Sequence, residues 1–168
     1  APDLLIGSSA GTISVYENYG TPDTWWFVSY TTETERRFDE DVGYLSSPCI
    51  GDVDGDGAND IVCGAKDTSG LTIYFGPDYA VTGSFVYGND PDFGGDVTVV
   101  PALGDFNGDG RCDHVIGFED GSIKVFVSDG GNMAHLDEGL SRGLEVPGFA
   151  TPCAGDFDGD GIIDIVAG

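Results

Sequence analysis

The chain reads as an all-β fold of repeated four-stranded antiparallel blades, and three observations predict it. One nine-residue phrase is written three times: Asp52-Val-Asp-Gly-Asp-Gly-Ala-Asn-Asp60, Asp105-Phe-Asn-Gly-Asp-Gly-Arg-Cys-Asp113 and Asp156-Phe-Asp-Gly-Asp-Gly-Ile-Ile-Asp164. The run leaving each phrase also recurs, as Asp60-Ile-Val-Cys-Gly64, Asp113-His-Val-Ile-Gly117 and Asp164-Ile-Val-Ala-Gly168, with Asp3-Leu-Leu-Ile-Gly7 as a fourth copy. The leading aspartates of these runs are 57, 53 and 51 residues apart. Third, no segment sustains a 3.6-residue apolar period, and 28 glycines with 8 prolines interrupt the chain too often for long helices. Self-similarity at about 50 residues marks a propeller or solenoid array. Four short strands per unit of that length make one β-propeller blade.

Each element rests on local composition. The segments after the loops are short apolar runs bounded by Asp and Gly, which suits strands. Each continues through a turn into a β-branched and aromatic run: Gly11 to Tyr16, Leu71 to Phe75 and Gly121 to Val127. Further strands are expected at Trp25 to Tyr30 and Ser84 to Tyr87, and at the runs entering the loops, Ser47 to Gly51, Val97 to Gly104 and Ala150 to Gly155. The unit is therefore strand, Asp-rich loop, strand, hairpin, strand, connector, strand. This divides one repeat domain, 1–168, into a partial blade at 1–43 (strands 2 to 4), blades at 44–95 and 96–148, and the start of another at 149–168. About three blades are present. The chain begins and ends inside a blade, so it is expected to be a partial propeller or a segment of a larger one.

The loop chemistry is that of a calcium site. Calcium takes six to eight oxygens. Positions 1, 3, 5 and 9 supply side-chain oxygens: Asp52, Asp54, Asp56 and Asp60; Asp105, Asn107, Asp109 and Asp113; Asp156, Asp158, Asp160 and Asp164. The backbone carbonyl at position 7, from Ala58, Arg111 or Ile162, adds another. Glycines at positions 4 and 6 allow the curl because they lack Cβ. An EF-hand would need a carboxylate at position 12, where Cys63, Ile116 and Ala167 stand. Magnesium, which prefers a tight octahedron with retained waters, suits the set less well. The middle loop, with neutral Asn107 and with Arg111 beside it, is expected to bind most weakly.

These residues resemble the FG-GAP and VCBS repeat families, to which integrin α-subunit propellers also belong. The resemblance covers nearly the whole chain, through three full loops and four post-loop strands. It implies blades whose Asp-x-Asp-x-Asp-Gly-x-x-Asp loop holds calcium between the first and second strands. Asn107 departs from that pattern, and so does the small number of blades.

Composition narrows the function. Thirty acidic residues against six basic ones give a net charge of −24, which excludes direct nucleic-acid binding, where Lys and Arg must neutralise phosphates. Eleven of those carboxylates lie in the loops, and three bound Ca²⁺ would bring the charge to −18. The longest apolar runs are far shorter than the ~20 residues of a membrane span. Cysteines stand at 49, 63, 112 and 153. Because Cys49 lies three residues before Asp52 and Cys63 three after Asp60, symmetric pairing of the strands would let them bridge, leaving Cys112 with Cys153; three connectivities remain open.

Other motifs read as structure. Gly7-Ser-Ser-Ala-Gly11 has the letters of a nucleophile elbow, but it joins two strands, so Ser9 is expected in a hairpin turn. His114 and His135 are too few and too scattered for a zinc site or a triad, and His114 is expected to pack or face solvent. Trp25 and Trp26 have the side chains to stack on a sugar ring, but adjacent strand residues point to opposite faces and cannot both line one pocket, so they are expected to pack between blades. Arg36 and Arg37 fall in a solvated connector, and Thr31, Thr32 and Thr34 are candidates for hydroxyl glycosylation. The expected role is non-enzymatic and extracellular, secreted or at the cell surface. It is adhesion, binding of a protein or glycan ligand, or assembly with remaining blades or neighbouring copies, without nucleic acid and without membrane insertion. Alternatives are a lectin-like propeller, an accessory domain of a secreted polysaccharide lyase or phospholipase, and a protomer of an extracellular filament.

Overall fold

A computed structural model describes residues 3–21, 24, 26–29, 42–66, 70–77, 80–84, 98–129 and 134–168. Its strands form four antiparallel sheets in chain order. The first holds β1 (Leu4–Gly7), β2 (Ile13–Asn18) and β3 (Phe27–Ser29). The second runs β4 (Tyr44–Gly51), β5 (Asp60–Lys66), β6 (Thr72–Phe75) and β7 (Ala80–Ser84). The third runs β8 (Val99–Gly104), β9 (Asp113–Phe118), β10 (Ile123–Ser128) and β11 (Ala134–Leu136), and the fourth pairs β12 (Pro152–Gly155) with β13 (Asp164–Ala167). Each sheet is a meander, every strand bonded to its neighbour in sequence. The one helix among the described residues, α1 (Glu138–Ser141), is a single turn capped by the Asp137 side chain, which accepts from Leu140 N at 2.9 Å.

The core lies between the sheets, in three layers. Successive strand residues point to opposite faces, so β5 sends Ile61 and Cys63 to the layer shared with the first sheet, beside Ile13, Val42 and Tyr74. Its Val62 faces the layer shared with the third sheet, beside Val99, Ile116 and Phe126. β9 repeats this: Ile116 and Phe118 face backward, while Val115 faces forward onto Ala150, Ile165 and Ala167. Strands buried on both faces need apolar residues at nearly every position, which is why the post-loop runs do not alternate with polar residues.

The sheets are set against one another through a repeated backbone contact. A Cβ added to Gly7, Gly64 or Gly117 would overlap the carbonyl oxygen of Ser46, Val99 or Ala150 in the next sheet and lie 2.6–2.7 Å from Cδ of Pro48, Pro101 or Pro152. Glycine is required there by close approach, not by backbone conformation. The proline fits because its missing N–H suits a strand edge.

Several sequence expectations shift. β7 covers Ala80–Ser84 and so begins earlier than the expected strand at Ser84 to Tyr87; of that expected span only Ser84 lies within the described residues. The expected Cys49–Cys63 bridge is overturned. Symmetric pairing would set Asp52 opposite Asp60, but Gly51 takes that place, so Cys49 faces Val62 and Cys63 faces Pro48. The two thiols then point to opposite sides of the sheet, and all four cysteines are free. The remaining pair, Cys112 with Cys153, fails as well: Cys112 packs in the layer between the second and third sheets, and Cys153 is exposed on β12. Burial pushes the Cys63 thiol up to about 12 and Cys112 to about 11, so they behave as small apolar side chains. His114 is fully buried. Trp26 is 71% exposed and does not pack between blades. Trp25, Thr31, Thr32, Thr34, Arg36 and Arg37 lie outside the described residues. Among those described, no helix is long and apolar enough to cross a membrane.

Candidate functional site

The three Asp-rich loops connect β4 to β5, β8 to β9 and β12 to β13. Each curls through its two glycines at positive φ: 79° and 88° at Gly55 and Gly57, 76° and 83° at Gly108 and Gly110, 83° and 86° at Gly159 and Gly161. The curl lets the first aspartate gather backbone donors. Asp52 accepts from Gly55 N at 2.8 Å and Gly57 N at 2.9 Å, one on each oxygen. Asp105 and Asp156 do the same with their own glycines, at 2.7 to 3.0 Å. Short bonds at positions 3 and 5 hold the remaining side chains, such as Asp56 N on Asp54 and Ala58 N on Asp56.

This arrangement concentrates negative oxygens. Ligand-type oxygens of Asp52, Asp54 and Asp60 lie within 4.8 Å of one another, as do those of Asp156, Asp158 and Asp160. Both sets are all-oxygen donors, which fits a hard divalent cation. Among the described residues the middle loop brings no three acids so close. There the Asn107 amide Nδ2 donates to Asp109 at 3.2 Å, and the Arg111 guanidinium sits 3.9 Å from the same carboxylate. Arg111 thus turns its cation toward a ligand position. A cleft of about 480 Å³ separates the first and second loops, lined by Asp52, Asp54, Asp105, Arg111 and Asp129 among others.

The ninth position has a second task that the spacing alone does not reveal. Asp60 accepts Val53 N on one oxygen and Gly76 N on the other, both at 2.8 Å. Asp113 accepts Phe106 N and Ser128 N, both at 3.0 Å. Asp3 accepts Asn18 N at 2.9 Å, which identifies it as the same position in the first sheet. One carboxylate therefore ties the loop to the end of the third strand of its blade. The signal is in the sequence as a distance: the donors stand 15, 16 and 15 residues after Asp3, Asp60 and Asp113. Asp60 and Asp113 are fully buried. Burial raises the pKa of each; the two N–H bonds oppose that shift and the neighbouring loop carboxylates add to it.

Serially packed antiparallel sheets, three of them carrying an Asp-rich loop between their first two strands, define a repeat protein of the β-propeller kind. The profile of FG-GAP-like repeats matches twice, over residues 52–116 and 105–167. The chain belongs to that family. No curated protein and no solved structure shows significant similarity to it.

Proposed function

We propose that this chain is a calcium-stabilised propeller segment working outside the cell, where it presents a binding surface and performs no chemistry of its own. The observation that carries this reading is the preset first aspartate of each loop, held by glycine amides beside other carboxylates. All three loops share it, and it sets the oxygens of that aspartate at the place where a cation would be held. The residues that would hold the ions are Asp52, Asp54, Asp56 and Asp60 with the Ala58 carbonyl; Asp105, Asn107, Asp109 and Asp113 with the Arg111 carbonyl; and Asp156, Asp158, Asp160 and Asp164 with the Ile162 carbonyl. Calcium at about millimolar concentration, as outside cells, fills even weak sites of this type.

Removing the ions leaves like charges in contact. At ~5 Å each pair of carboxylates costs about 0.8 kcal/mol even at the dielectric of water, and several pairs act in each loop. Thermal unfolding with and without EDTA tests this, and the midpoint is expected to fall by several degrees on chelation. An unchanged midpoint after verified calcium removal would show that the loops do not hold the fold together.

A further inference from the structure

The exposed aromatic and large apolar residues of the first sheet fall into two groups. Leu4, Ile6 and Phe27 share the face turned away from the second sheet, and their exposure is explained by that position. Tyr19 and Trp26 belong to the other face. Alternation along β2 puts Ile13, Val15, Glu17 and Tyr19 on the side that packs onto the second sheet, where Ile13 and Val15 are in the core. Tyr19 and Trp26, at the end of that same face, are nevertheless 64% and 71% exposed. An unpacked neighbour face does not explain them.

The two rings are also held together. β2 and β3 pair Asn18 with Phe27, and the next step of that register sets Tyr19 opposite Trp26, with Tyr19 N donating to Trp26 O at 2.9 Å. Directly opposed residues stand on one face with Cβ atoms about 5 Å apart. The Tyr19 hydroxyl donates to Glu17 Oε2 at 2.9 Å, which fixes the ring. Asn18 Oδ1 accepts Gly20 N at 2.9 Å and stiffens the turn. Beyond the rings lie the paired hydroxyls of Thr21 and Thr24, 2.8 Å apart.

We propose that Tyr19 and Trp26 form a stacking platform for a neutral sugar ring, with Glu17 and the threonine hydroxyls bonding its rim. Two aromatic side chains expose far less than the ~800 Å² per partner that a stable protein interface buries, yet they match one or two pyranose rings. Sugars bearing equatorial hydroxyls turn axial C–H groups toward an aromatic face and hydroxyl donors toward a carboxylate. The net charge of −24 repels anionic glycans and selects uncharged ones. The proposal takes the binding role above as given and names its ligand class. The metal loops enter it nowhere, so the chelation experiment and this one fail independently.

The test is saturation-transfer NMR on the whole chain with cellohexaose, a β-linked glucan with equatorial hydroxyls. Transfer to the axial ring protons is expected, with a Kd in roughly the millimolar range. Trp26→Ala and Tyr19→Ala should each weaken binding at least about tenfold, and Trp26→Phe should retain part of it, with circular dichroism showing each variant folded. Absence of transfer to the wild-type chain, or transfer unchanged in Trp26→Ala, overturns the proposal. Self-association of the chain that Trp26→Ala abolishes, without transfer to the glucan, assigns the platform to a second copy and overturns it equally.

Discussion

Replacing Gly64 by alanine isolates the contact that sets one sheet against the next. The backbone of Gly64 is not in the left-handed region, so alanine is sterically acceptable to its own residue. In an open site the change would stabilise by about 0.4–1 kcal/mol, by restricting the unfolded chain. Here the new methyl overlaps the Val99 carbonyl oxygen and lies 2.7 Å from Pro101 Cδ. Both are backbone-bound atoms with no rotamer to yield, so β8 must retreat by about 1 Å from a close-packed layer. Overpacking of this sort costs about 1–3 kcal/mol and occasionally more. A rigid obstacle belongs at the upper end, and the net loss is about 2 kcal/mol. For a domain of this size that lowers Tm by roughly 4–8 °C. Gly70 is the control, since a Cβ there meets nothing within 4 Å and its φ is not positive. Thermal unfolding monitored by circular dichroism in saturating calcium should separate the two variants. A Gly64→Ala midpoint within a degree of wild type, or a Gly70→Ala midpoint that falls equally, would refute the reasoning.

The loops and the core supply two more tests. Asn107→Asp should strengthen the middle site about five- to tenfold, because it adds a unit charge worth on the order of 1 kcal/mol and removes the amide that occupies Asp109; calorimetric titration of calcium checks this, and unchanged affinity contradicts it. His114, held neutral by burial down to about pH 4, should make stability fall as pH drops through the window from about 6.5 to 4, since only the unfolded chain takes up the proton there. Between pH 6.5 and 5 the wild type should lose about 1.5 kcal/mol more than His114→Phe in urea titrations. Asp60 and Asp113, with raised pKa, push in the opposite direction just above the ordinary carboxylate range, equally in both proteins. Parallel pH profiles would remove His114 as the cause.

The loops and most strands are legible because both are written in composition: aspartates and glycines at fixed offsets, then apolar runs between breakers. Register is not. Counting three residues outward from Asp52 and Asp60 places Cys49 opposite Cys63, and the true pairing differs by a single residue. A one-residue slip turns every side chain to the other face, so the error is complete rather than partial. The three-residue β11 and the α1 turn carry too few residues for any period to show. Trp26 departs from expectation for a different reason. Adjacency on a strand says that two side chains diverge, but not how far along a face the packing of the neighbouring sheet reaches, and Trp26 lies beyond it.

The glycine-to-carbonyl step between sheets also governs where the chain is free to vary. From proline to glycine the count is the same in every repeat, Pro48 to Gly64, Pro101 to Gly117 and Pro152 to Gly168, 16 residues each time. From each glycine to the proline it docks against, the count is 41 from Gly7 to Pro48, 37 from Gly64 to Pro101 and 35 from Gly117 to Pro152. All the difference in repeat length therefore falls outside the segment that bears the loop and its docking atoms. The contact that spaces one sheet from the next thus sits in a segment of constant length, and the remainder of each repeat can lengthen or shorten without altering it.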